Sequence, residues 1–282
     1  MKDTSFYQKL TLNCKGKLIS LDAPKIMGII NITPDSFYKN SRTNRENIVG
    51  KVGQMIAEGV DFIDVGGFSS RPGAADVPET EELKRVIPAV RLIAKYFPDI
   101  PISIDTFRSK VVNEAVNAGA CMINDISGGE ADKKMFKTVA ELNVPYVLMH
   151  MRGTPANMQT KTNYDDLMGE IIYYFSKKIS ELTDNGVNDI ILDPGFGFAK
   201  TIDQNYFLLD NLKDLSVLKL PVMVGVSRKS MVYKPLNISP DEALNGTTVL
   251  NTIGLLNNAR ILRVHDVKQA KELIKLITFM RC

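Results

Sequence analysis

Residues 101–127 read PISIDTFRSKVVNEAVNAGACMINDIS. An apolar run, PISIDTF, opens the stretch and a second, CMINDIS, closes it. Between them Val111, Val112, Ala115 and Val116 fall on one side of a helical pattern. That pattern stops at Gly119, a residue suited to the left-handed position just past a helix. The apolar runs are nearly continuous rather than alternating, as expected of parallel strands covered by helices. Strand, helix, strand is therefore the unit.

The unit extends in both directions. Similar runs stand at KIMGIINIT (25–33), VDFIDVG (60–66), YVLMHM (146–151), DIILDPG (189–195), PVMVGVS (221–227) and RILRVHDV (260–267). Helical spacing recurs from Pro78 to Phe97, where Pro88 is expected to introduce a kink. It recurs at Leu167, Ile171, Phe175, Ile179 and Leu182, and again at Val267, Ala270, Leu273, Ile274 and Ile277. Eight strands that alternate with helices predict a (β/α)8 TIM barrel. A doubly wound open sheet is the second choice, and no GxGxxG follows the first strand. Residues 7–21 carry a Lys15-Gly16-Lys17 turn between two short extended runs, which predicts a hairpin capping the barrel floor. With no linker or repeat in view, residues 1–282 read as one domain, the barrel proper beginning about residue 25.

Composition narrows the function classes. The 282 residues are 44% hydrophobic and 24% charged, which permits a substantial core. Thirty-five basic against 32 acidic residues leave a net charge of +3, no footprint for nucleic acid. Cys14, Cys121 and Cys282 lack C-x-x-C spacing, so neither a disulfide framework nor structural zinc is expected. Reduced thiols, an N-terminus without a signal-peptide core and no apolar run near ~18 residues predict a cytoplasmic protein without a membrane span.

Chemistry in such a barrel gathers where strands end. Here the ends carry Asn31, Asp64, Asp105, Asn124 with Asp125, His150, Asp193, Ser227-Arg228-Lys229, and Arg263 with His265. Asp105, Asn124 and Asp193 suit a flat heterocycle with adjacent N–H donors, since a carboxylate accepts two parallel hydrogen bonds. Lys229, Arg263 and His265 are donors, and Arg71 lies in the loop after the second barrel strand. Arg263 and His265 are two apart, hence on one strand face, which suits a joint anion site. Acceptors at the floor and cations at the rim fit a neutral ring with an anionic tail. Asn31 is a possible oxygen ligand for Mg²⁺. His150 is read as structural. Neither a GxSxG elbow nor a HExxH zinc motif occurs.

The segments IMGIINITPDSF (26–37), VGGFSSRPGA (65–74), SIDTF (103–107), INDISGG (123–129), LMHMRGTPANMQ (148–159), ILDPGFGFAK (191–200), VSRKSM (226–231) and RVHDV (263–267) resemble the dihydropteroate synthase family, in family order. The resemblance implies a transferase of folate biosynthesis and a target of sulfonamides. Its members join (7,8-dihydropterin-6-yl)methyl diphosphate to 4-aminobenzoate, releasing diphosphate. It also implies roles. Asn31 would ligate Mg²⁺ on the diphosphate. Asp105, Asn124, Asp193 and Lys229 would hold the pterin, with Phe198 near it. Arg263 would lie along the ring and grip the anionic tail with His265. Ser70, Arg71 and Pro72 would belong to a mobile loop, and Lys229 with Ser230 would place 4-aminobenzoate. The catalytic set is then Lys229, Arg71 and Asn31, and a homodimer is implied.

The chain departs from the family pattern in both loops. Phe68 and Ser70 replace the acid and threonine of GGESTRPG, and Lys39 stands where an aspartate is common. A smaller change, Ala199 in GFGFAK, is expected to be harmless. Two other classes compete. A pterin-dependent methyltransferase barrel would not need SRKS or the Arg263/His265 pair. A non-catalytic pterin-binding module would bind without releasing diphosphate.

Overall fold

The computed structural model describes residues 10–32, 42–68 and 77–281. Eight parallel strands close into a barrel. They are β3 (Lys25–Asn31), β4 (Phe62–Gly66), β5 (Ile102–Asp105), β6 (Met122–Asp125), β7 (Tyr146–Met149), β8 (Ile190–Asp193), β9 (Val222–Val224) and β10 (Ala259–Val264). Neighbours follow chain order, and β10 closes the ring against β3. All eight runs read from the sequence are strands, shortened by the residues that turn into loops. The predicted barrel is the fold.

Helices connect them: α1 (Arg42–Ala57), α2 (Glu79–Tyr96), α3 (Ser109–Ala118), α4 (Met135–Leu142), α5 (Leu167–Asp184), α6 (Ile202–Asp210), α7 (Ser230–Leu236), α8 (Leu244–Leu256) and α9 (Val267–Arg281). The helix of the opening stretch, α3, ends at Gly119 with φ 126°, a position that a Cβ would strain. Helix α2 runs on through Pro88 to Tyr96, its buried face carrying Val86, Ile87, Val90 and Ile93. Burial of that face outweighs the hydrogen bond that Pro88 cannot donate. No helix among the described residues is long and apolar enough to cross a membrane.

Two apolar layers follow from the strand period of two. Outward residues such as Ile63, Ile104, Ile123, Leu148 and Leu192 pack under the helices. Inward residues Met27, Phe62, Met122, Val147, Ile191, Met223 and Ile261 meet at the bottom of the barrel. There β1 (Thr11–Cys14) and β2 (Lys17–Ser20) form an antiparallel hairpin whose Lys15-Gly16 turn is left-handed. The hairpin buries Leu12, Cys14 and the following Leu21 against those inward residues. It is the floor cap read from residues 7–21, its first residues lying outside the described ones.

Candidate active site

One step of two residues up the inward face of four strands, the apolar floor becomes polar. Phe62 is followed by Asp64, Met122 by Asn124, Ile191 by Asp193 and Ile261 by Arg263. Parallel register then aligns the ends: Asn31 with Gly66, Gly66 with Asp105, Asp105 with Asn124, and Met149 with Asp193. Gly66 lies between them: a Cβ there would sit at ordinary contact distance, 3.5 Å from Asp105 Oδ2 and 3.6 Å from Asn31 Oδ1.

Arg263 organises this layer. Its Nε donates to Asp64 Oδ2 at 2.7 Å and its Nη2 to Asp105 Oδ2 at 2.7 Å. Asn124 Nδ2 donates to the same Asp64 oxygen at 3.0 Å. Asp64 Oδ1, Asp105 Oδ1 and Asn124 Oδ1 are left buried without a hydrogen-bond partner among the described residues. Three orphan acceptors on adjacent strands call for a ligand edge rich in N–H donors. Burial pushes Asp105 up to about 7, against the pull of Arg263 and reinforced by Asp64. Two carboxylates sharing one guanidinium leave a surplus negative charge in a dry place. Burial raises Asp193 as well, while Lys229 opposes that rise.

The rim is built from the loops after β8 and β9. Arg228 takes a left-handed conformation, φ 54°, and turns away from the barrel into a two-pronged ion pair with Asp266. That reversal leaves Lys229 directed inward. Its Nζ donates to the Phe196 carbonyl at 2.7 Å and lies 4.9 Å from the Phe198 ring centroid. Burial pushes Lys229 down to about 8, with Asp193 holding it up. Gly225 lies below, where a Cβ would come 3.8 Å from Arg263 and 3.9 Å from Lys229 Nζ. Ser230 opens helix α7 beside Lys229. The inward residues and the rim thus bring together Asn31, Asp105, Asn124, Asp193, Phe198, Lys229, Arg263 and His265. Ser70, Arg71, Pro72 and Lys39 lie outside the described residues.

Three expectations need adjustment. Arg263 spends two of its N–H groups inward on carboxylates, so it is first a clamp on the floor. His265 is biased toward its neutral form. Burial, then nearby Arg263, pushes it down to about 4. Ser227 Oγ accepts the His265 backbone N–H at 3.2 Å and stands 3.1 Å from Nδ1, which fixes the ring's orientation. Ala199 is not innocuous: its φ is 49°, the left-handed region that costs a residue with a Cβ about 1 kcal/mol. His150 is structural as read, buried edge-on against Tyr174 with ring centroids 4.9 Å apart. Phe68 lies edge-on to Phe107 at 5.0 Å, on the apolar side of the mouth with Phe198 and Met158.

A floor that wants N–H donors under a cationic rim can be compared with known proteins. The model of the pterin binding enzyme family matches residues 27–265. The dihydropteroate synthase of Escherichia coli K12 is 41% identical over 271 residues, 95% of each chain. The chain belongs to the dihydropteroate synthase family. A crystal structure of the Yersinia pestis dihydropteroate synthase with a sulfonamide drug complex superposes with a TM-score of 0.90 at 40% identity, covering 96% of this chain and 99% of that one. The Xanthomonas albilineans dihydropteroate synthase with 4-aminobenzoic acid gives 0.89 at 35% identity, covering 97% and 98%.

Within this dihydropteroate synthase fold, Asp64 is the residue whose part went unassigned. It ends an apolar run just as Asp105 does, and its signal was Phe62 two residues earlier on the same face. Metal donors are sparse. Among the described residues no group of three or more His, Cys, Asp or Glu is placed to hold an ion. Asn31, exposed at the end of β3, offers one neutral oxygen. That is too little for free Mg²⁺, and it fits an ion whose other ligands are water and phosphate oxygens.

Two outcomes follow from this geometry. Asp105 binds its proton more tightly when folded than when unfolded, so the stability it contributes is present below about pH 4 and lost as pH rises through about 7. Asp105→Asn is therefore expected to gain in melting temperature relative to the parent between about pH 5 and pH 8. A pH-independent difference in thermal melts would contradict this. Ala199→Gly is expected to stabilise by about 1 kcal/mol in urea titrations by relieving the left-handed alanine.

Proposed function

We infer that this chain joins (7,8-dihydropterin-6-yl)methyl diphosphate to 4-aminobenzoate, giving 7,8-dihydropteroate and diphosphate in folate biosynthesis. The carrying observation is the trio of orphan oxygens on Asp64, Asp105 and Asn124 beneath Lys229, in a chain related to dihydropteroate synthases along nearly its whole length. An amino-pyrimidinone edge supplies the donors that this floor lacks. Lys229 and Phe198, 4.9 Å apart, would bound the ring, and Ser230 beside Lys229 would help place the second substrate.

The chemistry then asks little covalent work of the protein. The bond between the methylene carbon and the diphosphate oxygen breaks, its electron pair leaving with the diphosphate. The electron-rich ring spreads the positive charge left on carbon. The amine nitrogen of 4-aminobenzoate forms the new bond and gives its proton to water. We propose this SN1-like order, without a covalent enzyme intermediate. Arg263 through its remaining Nη1, His265, Lys229 and Arg71 would stabilise the departing anion by preorganised donors. Mg²⁺, held by Asn31 and diphosphate oxygens, would supply further neutralisation of that charge. The apolar floor and the Phe68–Phe107 side keep water from the cation.

Two coarser expectations are proposed with it. A cytoplasmic location is supported by the free, buried thiols of Cys14 and Cys121. A homodimer is supported by the exposed apolar side chains Phe207, Val249 and Leu256 on the packed pair α6 and α8. Sedimentation velocity should give twice the chain mass, and Phe207→Glu should shift it toward the single chain; a monomer at all concentrations removes the dimer.

The function itself is tested by diphosphate release from the pterin substrate with Mg²⁺, with and without 4-aminobenzoate. Release coupled to dihydropteroate formation is expected, with Lys229→Ala and Arg263→Ala lowering kcat/KM by about 10²–10³-fold. Tight pterin binding without release would make the chain a binding module instead.

A further inference from the structure

We infer that Lys200 is a positioning residue for the condensation, acting through the loop 195–200 on Phe198 and Lys229. The inference rests on the function proposed above. Lys200 is 3% exposed, and its Nζ lies 3.1 Å from each of three acceptors: the Gly195 carbonyl, the Phe198 carbonyl and His150 Nδ1. Burial holds His150 well below its usual range, which favours a neutral ring, and toward the charged Lys200 ammonium Nδ1 is the acceptor. In the protonated form all three ammonium hydrogens are used.

The last side chain of the loop thereby clasps the loop's first residue. From the other side Gly195 is pressed onto β7, for a Cβ there would come 2.0 Å from the His150 carbonyl oxygen. Gly195 N–H is held by Asp193 Oδ1 at 2.8 Å, which links the clasp to a floor carboxylate. Between the clasped ends stand the two groups that Lys229 touches, the Phe196 carbonyl and the Phe198 ring. Other side chains complete the loop: Asn205 accepts from Gly197 N–H at 2.7 Å, and Tyr164 donates to the Ala199 carbonyl at 3.0 Å.

Burying an ammonium here is costly. Burial pushes Lys200 down to about 7, Asp193 opposing it only in part, and among the described residues no carboxylate makes a hydrogen bond to it. A loop that needed only to be filled could use an apolar side chain of similar length. What an apolar chain cannot do is fix three acceptors at once, and with them the height of Phe198 and the direction of Lys229.

The experiment compares Lys200→Met, which removes every donor, with Lys200→Gln, which keeps two N–H groups. Steady-state KM and kcat are read alongside melting temperature. Lys200→Met is expected to raise KM for the pterin diphosphate by about tenfold or more and to lower kcat, as a small displacement of binding groups does. Lys200→Gln should recover part of both. A lower melting temperature and smaller active fraction with unchanged KM would make Lys200 merely structural and overturn the inference. Should both variants be insoluble, His150→Leu removes one acceptor and spares Lys200; it must raise the same KM, and an unchanged KM there overturns the inference too. An inactive parent chain would refute the function, whereas an active parent with an indifferent Lys200→Met refutes only the role of Lys200.

Discussion

The site depends on one guanidinium between two buried carboxylates. Arg263 is 18% exposed at its side chain, Asp64 is fully buried, and Asp105 nearly so. Such a trio is expensive to assemble, because each charge gives up water and the attractions return only part of that cost. Its geometry is nonetheless over-determined. The three residues come from the inward faces of β10, β4 and β5, and closure of the barrel fixes the distances among them. Remove the guanidinium and two like charges face one another in a low dielectric. With it present, each carboxylate keeps one oxygen fixed and leaves the other buried without a partner among the described residues. Placing charges in a core this way spends stability on acceptors that a donor-rich ring can satisfy.

Much of this was legible because strand periodicity does two jobs. The run that ends in Asp105 announces a strand, and its last polar residue announces which face looks inward. The same rule found Asn124, Asp193 and Arg263, and applied evenly it would also have given Asp64 its place. What the rule does not carry is the partnership between side chains far apart in sequence. Arg263 lies nearly two hundred residues from Asp64, so a cation that looks ready for an anion turned out to be engaged already. The neutrality of His265 is hidden for the same reason, since burial and a neighbouring cation decide it.

Backbone conformation was the second thing that residue types could not convey. Ala199 reads as a conservative change and occupies a position with positive φ. Arg228 looked like one of three polar residues at a strand end and serves instead as the pivot that aims Lys229. In both places a non-glycine residue sits in the left-handed region because its surroundings hold it there. For Arg228 these are Asp266, the Pro240 and Asp241 carbonyls, and Thr247. Strain of that sort is tolerated where direction matters more than stability.

The hairpin under the barrel has a consequence for traffic. With Leu12, Cys14 and Leu21 plugging the lower end, the barrel is a vessel with one opening. Whatever occupies the floor must arrive before anything that stacks above it and must depart after it. A heterocycle on Asp64, Asp105 and Asn124 would be first in, and the joined product that keeps this heterocycle would be last out. The order of binding and release would then be set by the shape of the container, before any difference in affinity is considered.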